Sequence, residues 1–209
     1  FDDLLVISLG PVGTVRVYDG TTRQILYSVS NPTGLSSAGF GWSLVIIGDV
    51  NGDGKKDFAV GSVTQTQIAS SMFYGAVFVH DGSSGNLLYT LSDNIVNSFF
   101  GSSIAALGDV NGNNVPDFAV GAYTLSNVGR VYLYDGSGYL INQINPSSGR
   151  QFGYSLNSAS DLNGDLIQDI LVGDNYYNTN FVGRAYVYSG APPNPLIYNF
   201  AGTGAVQGL

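Results

Sequence analysis

Short apolar runs alternate with clusters of Gly, Asn, Asp and Ser along the whole chain, and no window holds a sustained 3.6-residue apolar stripe. Between residues 40 and 99 the runs fall at 43–47, 58–60, 76–80 and 87–91, with polar turn formers between them. That spacing predicts four short strands joined by tight turns. The pattern then recurs. Phe40-Gly41, Phe100-Gly101 and Phe152-Gly153, with Phe200-Ala201 as a degenerate fourth, lie 60, 52 and 48 residues apart. An Asp follows nine residues after each of the first three: Asp49, Asp109 and Asp161. From there run GDVNGDGKKDFAVGS, GDVNGNNVPDFAVGA and SDLNGDLIQDILVGD, and later GAVFVHDG, GRVYLYDG and GRAYVYSG.

Four strands in roughly 50 residues, repeated, is the blade of an all-β propeller, in which each four-stranded sheet packs face to face on the next. The opening fits the later part of the same unit, since Asp3-Leu-Leu-Val parallels Asp169-Ile-Leu-Val and GTVRVYDG parallels GRVYLYDG. The chain therefore reads as one propeller domain over 1–209, or an excerpt of one. It would comprise a half blade at 1–39, full repeats at about 40–99, 100–151 and 152–199, and a half blade at 200–209, about four blades' worth. The Pro-rich stretch Ala191-Pro-Pro-Asn-Pro195 reads as a loop before the last apolar run.

Composition agrees. The 209 residues include 29 Gly, 14 Tyr and 11 Phe, and all fifteen acidic residues are Asp, a mixture poor in helix formers. Seven scattered basic residues against a net charge of −8 would repel a phosphate backbone, which argues against nucleic acid as partner. With no Cys there is neither a disulfide framework nor a thiolate site. No apolar run reaches the ~18 residues of a membrane span.

Most of the acid has one address. The spacing D-x-N-x-[DN]-x-x-x-D occurs three times, as Asp49, Asn51, Asp53, Asp57; Asp109, Asn111, Asn113, Asp117; and Asp161, Asn163, Asp165, Asp169. Calcium takes six to eight hard oxygens, and alternate residues of a tight loop can turn theirs to one centre. Positions one, three, five and nine supply side chains, and a main-chain carbonyl at position seven, from Lys55, Val115 or Ile167, would complete the shell. About three Ca²⁺ ions are expected. An EF-hand opens similarly but needs Glu at position twelve between helices. Here that position is Val60, Val120 or Val172, and the flanks read as strands. Turn chemistry alone would leave unexplained why acids face each other at positions one and nine in every loop.

These residues resemble the FG-GAP repeats of the integrin α-subunit β-propeller, over essentially the whole chain. The three Phe-Gly pairs look like the family's FG, and Val60-Gly61-Ser62, Val120-Gly121-Ala122 and Val172-Gly173-Asp174 occupy its GAP position with Pro replaced. The resemblance implies a calcium loop between the first two strands of each blade and a larger ring, usually of seven blades. It also implies a secreted or cell-surface adhesion module that binds a protein or glycan. Loops two and three lack the Gly that follows position five, having Asn114 and Leu166 instead.

Catalysis is not supported. His80, the one histidine, aligns with Tyr18, Tyr134 and Tyr188 as a strand-end residue, and Asp2, Asp93 and Asp174, the aspartates outside loops and repeat turns, have no evident reason to meet. Among the aromatics Phe99, Phe100, Tyr123, Tyr154 and Trp42, most are expected as core between blades. Tyr176-Tyr177 and the segment 64–72 lie where repeats differ in length, so a ligand is expected there. The alternative to a binding module is a structural subunit of a surface or filament assembly, self-associating through its half blades.

Overall fold

The computed structural model describes residues 3–8, 13–35, 39–69, 72–124, 128–146, 151–175 and 182–202. These form fifteen strands in four antiparallel sheets. The first sheet holds β1 (Leu4–Ser8), β2 (Thr14–Tyr18) and β3 (Ile25–Ser30). The second holds β4 (Phe40–Gly48), β5 (Asp57–Ala69), β6 (Met72–His80) and β7 (Leu87–Leu91). The third holds β8 (Phe100–Gly108), β9 (Asp117–Ala122), β10 (Arg130–Tyr134) and β11 (Leu140–Ile144). The fourth holds β12 (Phe152–Ala159), β13 (Asp169–Asp174), β14 (Arg184–Tyr188) and β15 (Leu196–Ala201). Within each sheet, consecutive strands are hydrogen-bonded neighbours. The sheets stack in chain order without closing, as a part of a larger propeller ring would.

The apolar alternation explains the stacking. Ala76 and Phe78 on β6 point to the first sheet, packing with Val15, Phe40, Phe58 and Val60. Val77 and Val79 point the other way, packing with Phe100, Phe118, Val120 and Tyr132 of the third. A third core joins Ala119, Val131 and Leu133 to Phe152, Ile170, Val172 and Tyr186. A middle strand thus serves two cores and reads as nearly continuous apolar sequence. Each Phe-Gly phenylalanine lies at the centre of one core.

Two residues of β4 bulge between the pairs Phe40↔Ser62 and Ser43↔Gly61, and the same shift follows Phe100 and Phe152. Gly41, Gly101 and Gly153 sit there at φ 89°, 84° and 85°, a left-handed conformation that glycine alone adopts without strain. The bulge lays the Phe-Gly backbone onto the preceding sheet. A Cβ on Gly75 would run into the Phe100 carbonyl oxygen, and one on Gly129 into that of Phe152. Ser43 Oγ donates to the Gly101 carbonyl and Ser103 Oγ to that of Gly153, both at 2.8 Å. On the outer rim, Tyr27 Oη donates to the Gly82 carbonyl at 2.6 Å and Tyr89 Oη to that of Gly136 at 2.5 Å.

Three expectations change. Phe200-Ala201 ends β15, with Phe200 opposite Ala185, rather than opening a new inner strand, because the apolar run after the Pro-rich turn is needed as the fourth strand of its own sheet. The described residues within 1–39 form three strands of one sheet, where half a blade is expected. Segment 64–72 is no loop: β5 and β6 extend into it as a long hairpin, with Thr66 opposite Tyr74. Tyr176-Tyr177 lie outside the described residues.

Candidate metal loops

Each acidic loop joins the first two strands of a sheet: β4 to β5, β8 to β9, and β12 to β13. The position-one Asp folds the loop around itself. Asp49 Oδ1 accepts the amides of Gly52 and Asp53 at 2.7 and 3.1 Å, and Oδ2 that of Gly54 at 2.8 Å. Asp109 accepts from Gly112, Asn113 and Asn114, and Asp161 from Gly164, Asp165 and Leu166. Asn51, Asn111 and Asn163 each accept the amide two residues on. Position five repeats this toward position seven: Asp53 accepts from Lys55, Asn113 from Val115 and Asp165 from Ile167, at 2.7 to 2.9 Å. Three loops that vary at five of their nine positions share one hydrogen-bonding scheme.

The ninth-position carboxylates lie deeper. Asp57, Asp117 and Asp169 are fully buried at the starts of β5, β9 and β13. One oxygen accepts the amide of Val50, Val110 or Leu162 at 2.7 to 2.9 Å. The other accepts that of Gly82, Gly136 or Gly190, in the turn between the last two strands, at 2.9 to 3.4 Å. Asp3 in the first sheet makes the same bond to Gly20 at 3.0 Å. Asn114 and Leu166 take the place of Gly54 with φ 65° and 69°, so the missing glycine is replaced by left-handed backbone without change of path.

The electrostatics are one-sided. Burial raises the pKa of Asp57 and pushes Asp117 up to about 6, with Asp135 and Asp109 adding to it against the amides of Val110 and Gly136. Asp109, though partly desolvated, is held below the usual carboxylate range by the amides of Asn114, Gly112 and Asn113. The Leu166 and Gly164 amides do the same for Asp161, and the Ile167 amide with the Asn163 side chain for Asp165. No basic side chain figures among the main influences on any of these groups.

Among the described residues, no three acidic or imidazole side chains converge tightly enough to hold an ion by themselves. Each loop needs its Asn amide and a main-chain oxygen besides its carboxylates. The donor set is nonetheless made of hard oxygens around a buried acid held by backbone amides, which fits a divalent cation of the calcium type.

The other singled-out residues divide. His80 is buried, stacked on Phe58 with ring centroids 5.3 Å apart. Its Nδ1 lies 3.0 Å from the Gly85 carbonyl, and burial lowers its pKa. Tyr134 stacks on Phe118 in the same register position. Asp93 and Asp174 serve separate turns, accepting the amides of Ile95 and Gln151; Asp2 lies outside the described residues. Trp42 and Tyr154, expected in the core, are 57% and 47% exposed, because the bulge after Phe-Gly turns that position outward. Phe99, Tyr123 and Tyr154 form a row of rings with centroids 5.2 and 5.3 Å apart. The sequence reading missed the part played by Gly82, Gly136 and Gly190, and by Asp135, whose Oδ2 accepts the side-chain amides of Asn111 and Asn113. The recurring Asp-Gly pairs at 81–82 and 135–136 were the available signal.

Comparison with known proteins bears on the family. Residues 100–134 match the family described as FG-GAP repeat. The chain is 35% identical over 165 residues to integrin alpha-7 of Mus musculus, covering 74% of this chain and 14% of that protein. It is 32% identical over 147 residues to integrin alpha-6 of Homo sapiens, covering 67% and 13%. For integrin alpha-2 of Bos taurus the figures are 34% over 121 residues, 52% and 10%. The matched stretch is thus a small part of each relative's length.

Proposed function

The chain is a run of FG-GAP repeats, an integrin α-like domain, and from that premise we propose that it is a calcium-stabilised, non-catalytic adhesion or binding module displayed outside the cell. The observation that carries the calcium reading is the buried ninth-position carboxylate, met by two backbone amides in each of three loops of one design. Asp49, Asn51, Asp53 and Asp57 with the Lys55 carbonyl would hold one ion. Asp109, Asn111, Asn113 and Asp117 with the Val115 carbonyl would hold a second, and Asp161, Asn163, Asp165 and Asp169 with the Ile167 carbonyl a third. A bound Ca²⁺ supplies positive charge that offsets the carboxylates and ties the first two strands of a sheet together. The chain's own part is to hold the oxygens in place: position-one Asp curls the loop, and position-nine Asp anchors it to the turn between the last two strands.

The non-catalytic reading draws on His80, whose ring is absorbed in a core, and on aspartates committed to loops and turns. For a protein or glycan ligand, Trp42 and the row Phe99, Tyr123 and Tyr154 offer aromatic contact area, rings of the kind that anchor interfaces. The calcium reading is tested by thermal unfolding in 1 mM-scale CaCl₂ against EDTA, a range suited to extracellular modules of about 10⁻⁴–10⁻³ M affinity. Tm should rise by several degrees with calcium; an unchanged Tm would overturn it.

A second reading, self-association into a surface or filament assembly, is favoured by one observation. Leu171, Tyr198 and Phe200 are exposed on the fourth sheet, the face that its register sets opposite to Ile170, Val172, Tyr186 and Tyr188. Against it, Phe40, Phe100 and Phe152 are each buried in a joint already, so a second copy brings no free Phe-Gly to that face. Light scattering with calcium should give one monodisperse species; concentration-dependent polymers would favour the assembly.

A further inference from the structure

The three loops differ at position five, which is Asp53, Asn113 or Asp165, and they differ at the residue just after the third strand of the same sheet, which is Asp81, Asp135 or Ser189. In the third and fourth sheets the two differences are matched. In the fourth sheet Ser189 Oγ donates to Asp165 Oδ2 at 3.0 Å. In the third sheet the direction is reversed: Asp135 Oδ2 accepts Nδ2 of Asn111 at 2.9 Å and Nδ2 of Asn113. A carboxylate at position five meets a hydroxyl donor, and an amide there meets a carboxylate acceptor. In the second sheet, where position five is already Asp, Asp81 turns away and accepts from the amides and hydroxyls of Ser83 and Ser84 in its own turn, at 2.6 to 3.2 Å.

Asp135 is placed for more than a turn. It is 7% exposed, its Oδ1 accepts the Ser137 amide at 2.6 Å, and its charge acts on Asp117. With both Asn nitrogens tied to Asp135, the Oδ1 atoms of Asn111 and Asn113, each accepting one amide of the loop, are the oxygens left for a cation. Partners one shell beyond a metal commonly orient its ligands and tune its affinity in this way.

We infer that Asp135 is a positioning residue of the second calcium loop: it orients the amides of Asn111 and Asn113 and restores the third carboxylate that Asn113 removes. The inference rests on the calcium reading above. Each loop then has three carboxylates at hand, by two different routes.

Calorimetric titration of the metal-stripped protein with CaCl₂ tests it, with thermal unfolding of each metal-free variant recorded alongside. The wild-type protein should take up three ions. Asp135→Ser should weaken one site by about tenfold or more and leave the other two unchanged. The double variant Asn113→Asp with Asp135→Ser copies the pair of the third loop and should restore the affinity, which a merely structural role for Asp135 would not produce. Three unchanged sites in Asp135→Ser, or failure of the double variant to restore the third, would overturn the inference. Should Asp135→Ser not fold, the double variant decides alone: three sites of wild-type affinity support the inference and two sites refute it. If the wild-type protein takes up no calcium, the calcium reading itself falls, and this inference with it.

Discussion

The joint between the second and third sheets and the loop between β8 and β9 lie in the same sheets and are built on opposite principles. At the joint, Phe100 is fully buried, the bulged backbone at Gly101 meets Gly75, and Ser43 donates across to the Gly101 carbonyl. Phe100, Gly101 and Ser43 find their partners within the protein. In the loop, Asp117 is equally buried, yet its charge is met by amides alone and by further acids nearby. Packing completes the joint; among the described residues, no base figures among the main influences on Asp117. The teaching is that the repeat separates two tasks, with stacking of sheets left to apolar and glycine positions and, on the calcium reading proposed above, closure of each sheet's end left to a bound ion.

Several substitutions would break or sharpen that contrast. Phe100→Ala empties a joint and should cost about 3–5 kcal/mol, with or without calcium; in urea denaturation a loss under about 1 kcal/mol would remove the joint from the account. Gly75→Val, which drives a side chain into the Phe100 carbonyl, should cost about 3 kcal/mol, again independently of calcium. Asp117→Ala leaves two buried amides without an acceptor and should cost about 2 kcal/mol; unlike the joint variants, it should also shrink the calcium-induced rise in Tm. Ser103→Ala removes one hydrogen bond between sheets and should cost about 1 kcal/mol, read by the same denaturation. Leu166→Gly, at an exposed residue with φ 69°, relieves left-handed strain of about 1–2 kcal/mol, partly offset by glycine's greater freedom when unfolded. A net gain below about 1 kcal/mol is expected, and a loss would mean that the leucine side chain has a role not evident from its exposure.

Much of this was legible in the residues. The period of Phe-Gly and the fixed offset to Asp49, Asp109 and Asp161 mark the sheets and their loops, because a bulge and a one-turn acidic loop each impose a strict spacing. Phe200 misled, since a phenylalanine followed by a small residue also suits an outer strand, and only pairing with β14 distinguishes the two. Trp42 and Tyr154 misled for another reason: strand alternation predicts inward side chains, and the two-residue bulge resets the phase. In sequence Asp135 is an Asp-Gly turn residue, and it does hold its own turn through the Ser137 amide. Its reach to Asn111 and Asn113 depends on the third strand ending beside the loop, a contact between segments over twenty residues apart that no local pattern encodes.

The contrast between joint and loop stands or falls on where a cation goes. Crystals grown in calcium and measured for anomalous scattering give that directly. The account predicts one peak in each of the three loops, at 2.3–2.6 Å from the side-chain oxygens at positions one, three, five and nine, and none at the joints. Ordered loops with no peak, their carboxylates satisfied by amides alone, would contradict it.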